Sequence, residues 1–171
     1  MERRAVGGDA VSTGATGLIA RLVAAVSPPG HSTSFGPRPV EAQEELALLA
    51  AARVAPSADN AQTWRFVSVR TAATRARLAA AVEPALQQAL SEAPLVLVVC
   101  GVSWLVTRAR REQPFVMLDV PIALTHVLLE AAELGLQCAW TLDLDEAALR
   151  EALEIPPDVR VIAALGLGWP A

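Results

Sequence analysis

A short polar segment, APSADNAQTW at residues 55–64, carries the side chains best suited to binding chemistry. Ser57, Asn60 and Gln62 supply a hydroxyl and two amides between Pro56 and Trp64. These groups donate and accept hydrogen bonds without acting as a nucleophile or a base, so they suit the neutral rim of a heteroaromatic ring and a polyol chain. They equally suit a capped helix end that runs into a turn, because Ser, Asp and Asn side chains bond to nearby backbone. Spacing alone leaves both interpretations open.

Other catalytic arrangements have weaker support. His31 and His126 are far apart and form no His-x-x-x-His pair, so no metal site is expected and His126 is interpreted as a satisfied helix residue. The motifs G-x-S-x-G, G-x-G-x-x-G and G-x-x-x-x-G-K-[ST] are missing, which argues against serine hydrolases, Rossmann folds and P-loop NTPases. Cys100 and Cys138 lie in apolar runs and are expected to be buried, reduced thiols of a cytoplasmic protein. The residues do not identify a catalytic group.

Composition narrows the class of protein. The 171 residues are 53% hydrophobic and 19% charged, which predicts one folded domain rather than a disordered chain. The net charge is −4 and all 14 basic residues are Arg, so charge gives no reason to expect nucleic acid as a partner. The long apolar stretch without charged residues, residues 93–107, falls short of the roughly 20 residues that a membrane helix needs. We therefore expect neither a nucleic-acid nor a membrane partner.

The elements that must position the polar segment can be read from apolar periodicity and from turn residues. Residues 1–17 are rich in Gly, Ala, Ser and Thr and are expected to form a flexible tail, with a single domain over 18–171. Helices are predicted at 18–26, about 39–54, 71–90 with a break near Pro84, 119–134 and 146–153, and strands at 66–69, 95–100, 137–140 and 159–165. Helices and strands alternate without a steady βαβ repeat, which predicts an α+β fold with helices around one sheet.

Two of these elements carry sharper expectations. The strand LVLVVC at 95–100 lacks period-two alternation, so it is expected at the sheet centre, buried on both faces. Asp119 is predicted to cap the long helix that follows, with Pro121 in its first turn and Gly135 ending it in a left-handed conformation. Because that helix is apolar on most sides, we expect it to be buried. Asp143 or Asp145 is expected to cap the helix over 146–153.

The polar segment also resembles a known family. APSADNAQTWRF, residues 55–66, resembles the motif A-P-S-A-x-N-x-Q-P-W-x-F of the nitroreductase-like flavoproteins, with Thr63 in place of the usual proline. The resemblance continues through four further segments in order: FGPRPV at 35–40, APLVLVV at 93–99, AAELGLQCAW at 131–140 and ALGLGWP at 164–170.

The resemblance implies a nitroreductase-like fold, with a central, mostly antiparallel sheet surrounded by helices, and a homodimer with FMN at the subunit interface. It implies transfer of hydride from NAD(P)H through the flavin to a small electrophilic acceptor, the cofactor supplying the chemistry. The helix over 119–134 would lie in the dimer core. By position, the residues implied to bind the flavin are His31, Ser32, Pro56, Ser57, Ala58, Asn60, Gln62 and Gln137.

One departure from the family pattern keeps other functions open. The basic residues that usually flank the segment containing His31 are replaced by Gly30 and Ser34. A phosphate is held best by charge-assisted hydrogen bonds, so arginines of the run at 107–112, or Arg3 and Arg4, are candidates to supply the charge. The alternatives are a non-catalytic or degenerate flavin-binding subunit of a hetero-oligomer, and a biosynthetic flavin oxidase or dehydrogenase of the same superfamily.

Overall fold

A computed structural model describes residues 34–102 and 114–171. The helices in these ranges are α1 (Ala42–Arg53), α2 (Ala72–Ala79), α3 (Pro84–Glu92), α4 (Val116–Leu134) and α5 (Glu146–Leu153), and the strands are β1 (Trp64–Val69), β2 (Leu95–Val102), β3 (Gln137–Thr141) and β4 (Val159–Gly168). The order of the predicted elements is confirmed wherever the structure describes the chain. The predicted tail over 1–17, the predicted helix over 18–26 and the whole basic run at 107–112 lie outside the described residues.

The four strands form one antiparallel sheet in the order β1-β2-β4-β3. Strand β2 is central and buried at every position, as its unbroken apolar run predicts. Its side chains alternate between two cores: Leu95, Leu97 and Val99 pack with α1 and α4, and the residues between them pack with α2, α3 and α5. The predicted α+β fold, with an antiparallel sheet between helices, is confirmed.

A bulge in β4 shapes the end of the sheet where α4 begins. Val99 pairs with Ala163 but Cys100 pairs with Val161, so Ile162 is an extra residue on β4. As a result Val161 and Ala163 face opposite cores although they are two residues apart. A side chain at the neighbouring Gly101 would collide with Val116 and Ile162, so a glycine is needed for the first turn of α4 to approach β2.

Helix α4 departs from its prediction at its start and in its exposure. It begins at Val116 after Phe115, which puts Asp119 inside the helix; the prediction that Asp119 is the cap is wrong. Gly135 ends the helix at φ 79° as predicted. One face is buried, but Met117, Leu118 and Ile122 are 50%, 54% and 38% exposed, so α4 is not buried on all sides within one chain.

The length and apolar character of α4 do not make it a membrane span. No helix in the described part of the chain combines the length and the hydropathy that crossing a bilayer requires.

Helix α5 is fixed to β4 through one carboxylate. Asp145, one of the two predicted caps, accepts a hydrogen bond from Ala148 N at 3.0 Å. The adjacent Glu146 accepts bonds from Arg160 Nε at 2.9 Å, Arg150 Nη2 at 3.1 Å and Val161 N at 3.0 Å. The bond from Arg160 is the largest of the causes that lower the pKa of Glu146 below its usual value of 4.5.

This arrangement predicts a pH-dependent loss of stability. A carboxylate with a lowered pKa in the folded state stabilises the fold fully above its unfolded pKa, and that contribution disappears as the pH falls through the folded value. We expect Glu146→Gln to lower the free energy of unfolding at pH 7 by about 1 kcal/mol. The difference from wild type should shrink below the usual pKa of 4.5.

Urea unfolding between pH 7 and pH 3 measures this difference. Glu151→Gln, an exposed position on the same helix, is the matched control and should change stability little at any pH. A Glu146→Gln deficit that stays constant down to pH 3 would contradict the assignment.

Candidate functional site

The loop between α1 and β1 brings the predicted polar residues together. The chain makes a tight turn over Ala58–Asn60, and Asp59, Asn60 and Gln62 have φ of 52°, 57° and 48°. Non-glycine residues rarely adopt this left-handed region, which Asn and Asp tolerate best. Each such residue costs on the order of 1–3 kcal/mol and persists only where its surroundings fix it. Three of the four residues from Asp59 to Gln62 therefore have strained backbone. Such strain is concentrated at binding sites.

Internal hydrogen bonds hold the loop in this shape. Gln62 N donates to Ser57 Oγ at 3.0 Å, and Asn60 N donates to the Ser57 carbonyl at 3.1 Å. The Gln62 amide donates from Nε2 to the carbonyl of Arg53, the last residue of α1, at 3.2 Å. The loop is therefore a capped turn, one of the two interpretations that its composition left open.

A capped turn still leaves this loop able to hold a ligand. Ser57 uses its hydroxyl oxygen as an acceptor within the loop, which leaves its proton to donate elsewhere. The side chain of Asn60 is exposed, and Pro56 is exposed at the start of the turn. The Asn60 amide therefore lies at the surface of a segment whose backbone is fixed.

A buried carboxylate joins this loop to α4. Asp119 is 3% exposed; its Oδ1 accepts from Ala58 N at 3.0 Å and its Oδ2 accepts from Thr63 Oγ1 at 3.3 Å. Thr63 is itself 1% exposed. Asp119 lies in the first turn of α4, where the helix dipole favours negative charge.

The sequence does not directly show that Asp119 joins the loop to α4, because an acid ahead of an apolar run is typical of a cap. The available signal was periodicity. Asp119 lies four, eight and twelve residues before Ala123, Val127 and Ala131, which form the buried face of α4. An acid on a buried face needs hydrogen-bond partners from another element.

A second contact fixes α4 against the C-terminal end of α1, close to the loop. His126 Nδ1 lies 3.2 Å from the carbonyl oxygen of Ala51. This confirms the prediction that His126 is a satisfied helix residue.

Gln137 is not near this loop within one chain. Trp64, at the end of the loop, pairs with Gly101 at one end of β2, whereas Gln137 pairs with Gly168 at the opposite edge and the opposite end of the sheet. Helix α4 connects these corners: from Asp119 to Leu134 it rises about 22 Å, at 1.5 Å per residue. The fold thus separates the loop from the corner that holds Gln137.

The segment that follows His31 and Ser32 lies at the Gln137 corner. Phe35 forms a bridge with Pro170, and Gly36 N donates to the Trp169 carbonyl at 2.8 Å. Trp169 Nε1 donates to the carbonyl of Pro39 at 3.0 Å, and the Arg38 guanidinium lies 3.6 Å from the centroid of the Trp169 ring. His31 and Ser32 themselves lie outside the described residues.

The predicted site residues therefore form two groups. The loop group is Pro56, Ser57, Ala58, Asn60 and Gln62. The corner group, among the described residues, is Gln137.

Neither cysteine is poised to act as a nucleophile. Burial raises the pKa of the Cys100 thiol to about 11 and that of Cys138 to about 12. Both are free and buried, as their apolar context predicts. Their thiols are protonated at neutral pH, so they serve as small apolar core residues.

Comparison with known proteins identifies the family. The sequence pattern of the Nitroreductase family matches residues 33–89 and 81–169. A 5,6-dimethylbenzimidazole synthase of Rhodospirillum rubrum is 32% identical over 164 residues, covering 80% of this chain and 75% of that protein. A protein of Archaeoglobus fulgidus assigned as NADH dehydrogenase/NAD(P)H nitroreductase is 31% identical over 142 residues, covering 80% of this chain and 78% of that protein.

Solved structures share the fold. An FMN-dependent nitroreductase of Clostridium difficile R20291 superposes with a TM-score of 0.71 at 23% identity, covering 81% of this chain and 82% of that chain. The matched pattern spans both corners of the sheet and the strained loop between α1 and β1. The chain therefore belongs to the nitroreductase family of oxidoreductases.

Proposed function

We propose that this protein is an FMN-dependent oxidoreductase that takes hydride from NAD(P)H and passes it to a small electrophilic acceptor. The observation that carries the proposal is the loop between α1 and β1. It matches the family motif at every position except Thr63, and it is held in a strained shape with the Asn60 side chain exposed. Strain of this kind is retained where a ligand needs a preformed surface.

The loop has the chemistry that the ring and ribityl chain of FMN require. The Ser57 hydroxyl proton and the Asn60 amide are neutral groups, matching the neutral rim of the ring and the hydroxyls of the chain. When bound, FMN supplies the hydride chemistry. The chain's own residues bind it, orient it and fix its surroundings.

The phosphate of FMN needs positive charge, and four of the eight described arginines already form ion pairs. Arg38, Arg70, Arg150 and Arg160 are each paired with a glutamate. We propose that arginines of the run at 107–112, or Arg3 and Arg4, supply this charge, with His31 and Ser32 as neighbouring hydrogen-bond donors.

We also propose that the protein is a homodimer with the flavin between its subunits. Met117, Leu118 and Ile122 form an exposed apolar strip on α4, next to the loop. A second copy related by a twofold axis would cover this strip with its own α4 running antiparallel. With the twofold axis midway along α4, that packing would set the loop of one copy, at the start of α4, beside the Gln137 corner of the other, beyond the end of α4. The two groups of predicted site residues would then meet.

A biosynthetic reaction is the second candidate. It is favoured by the Rhodospirillum rubrum relative, whose name is that of a synthase rather than a reductase. Such an activity would use the same flavin site without consuming NAD(P)H, so the two candidates differ in how the flavin responds to a nicotinamide.

The proposed function predicts a flavin spectrum and its reduction. Protein incubated with FMN and desalted should retain absorbance near about 450 nm, as oxidised flavins show. Anaerobic addition of NADPH or NADH should bleach this band. Retained flavin that neither nucleotide bleaches would favour the biosynthetic candidate, and failure to retain FMN would overturn both.

Asn60 offers a direct test of the loop. Asn60→Gly removes the amide and keeps a residue that tolerates the φ of 57°. We expect the dissociation constant of FMN to rise up to about tenfold, as for one lost hydrogen bond, with little change in melting temperature. Gln88→Ala, an exposed amide on α3 across the sheet, is the matched control. Equal FMN affinity in the two variants would remove Asn60 from the site.

The apolar strip on α4 provides a test of the dimer. Ile122→Asp would place a charge at the centre of the proposed interface, where it would lack a partner. We expect light scattering to give the mass of a monomer, 18.0 kDa, instead of twice that value, and FMN retention to fall in parallel. Ala85→Asp, an exposed position on α3, should remain dimeric. A monomeric wild type that retains FMN would contradict the shared site.

A further inference from the structure

We propose that Asp119 is a positioning residue that clamps the strained loop in its ligand-binding shape, with Thr63 as its second point of attachment. This inference rests on the proposed function, in which that loop holds the flavin. It gives the buried carboxylate of Asp119 a role in cofactor affinity as well as in folding. It also gives a purpose to the residue that replaces the family's proline.

The geometry of the carboxylate is that of a clamp. Its two oxygens bond to the loop on opposite sides of the turn, at Ala58 N and at Thr63 Oγ1. The three left-handed residues, Asp59, Asn60 and Gln62, all lie between these two attachment points. Fixing both ends of a strained segment limits the conformations into which it can relax.

The loop's own bonds do not secure both ends. The bonds from Asn60 N and Gln62 N both return to Ser57, so they close the turn on itself. The bond from Gln62 Nε2 to the Arg53 carbonyl ties the turn to α1 through a half-buried side chain. Asp119 is the link to α4, and therefore to the apolar strip that we propose as the dimer interface.

Thr63 contributes through its hydroxyl. A proline at this position restricts the backbone but has no side-chain donor. Thr63 Oγ1 donates to Asp119 Oδ2 at 3.3 Å with both residues buried, so this bond joins the exit of the loop to α4. The Thr63 carbonyl separately accepts from Val102 N at 2.8 Å, which ties the same residue to β2. Thr63, the residue that departs from the family motif, is therefore the hydrogen-bond partner of Asp119.

The choice of variants separates the clamp from a general loss of stability. Asp119→Ala removes both attachments, whereas Asp119→Asn can keep both, since its oxygen accepts from Ala58 N and its amide donates to a rotated Thr63 hydroxyl. Thr63→Val removes one attachment. Thr71→Val makes the same chemical change at the cap of α2, where Thr71 Oγ1 accepts from Thr74 N, and serves as the control for lost stability.

Titration of FMN into each folded variant provides the first measurement. We expect the dissociation constant to rise more than about tenfold for Asp119→Ala and several-fold for Thr63→Val, and to stay within about threefold for Asp119→Asn. Thr63→Val should add little in the Asp119→Ala background, since both changes break the same bond. Thr71→Val should leave FMN affinity unchanged although it lowers the melting temperature.

Amide hydrogen exchange of the flavin-free protein provides the second measurement, independent of the proposed function. The Ala58 and Gln62 amides should exchange faster in Asp119→Ala than in wild type, while those of β2 keep their protection. Wild type that binds no FMN would overturn the proposed function and leave this readout to decide the clamp. Unchanged exchange at both amides, or an FMN affinity in Asp119→Ala no weaker than in Thr71→Val, would overturn the clamp.

Discussion

The buried carboxylate of Asp119 is the contact on which the functional half of the molecule depends. A charge this far from solvent is tolerated because two neutral donors and the first turn of α4 satisfy it. Those donors belong to the loop that matches the family motif, and α4 carries the exposed apolar strip. One side chain thereby joins the loop proposed to bind the flavin to the helix that carries the proposed subunit interface.

The sequence predicts the framework of this fold well, because the deciding patterns are local. Eight consecutive apolar residues in β2 require burial on two faces whatever the topology, and Gly135 ends α4 because left-handed backbone favours glycine. Asp145 caps α5 by the same kind of local rule. These features follow from residue type and spacing alone.

The candidate site is harder to predict from the sequence, because it depends on contacts between segments that are far apart in the chain. The residues next to Asp119 in the sequence are typical of a helix cap. In the structure Asp119 instead bonds to the loop that contains Ala58, because that loop packs against α4. The left-handed conformation of Gln62 does not follow from its residue type, because Gln has no preference for that region. The separation of Gln137 from the loop follows from the order of the strands in the sheet. The order of the elements along the chain does not determine it.

The separated corners and the exposed face of α4 have a common explanation. A chain that is 53% hydrophobic buries one side of α4 against its own sheet and leaves Met117, Leu118 and Ile122 outside. An exposed apolar patch beside a binding loop is typical of an interface. An antiparallel twofold contact along the whole of α4, with its axis midway, would cover this strip and would also set each loop beside the other copy's Gln137 corner. The physical need to cover α4 and the chemical need to complete the site are therefore met by the same contact, so neither half of the proposed site would work in a lone subunit.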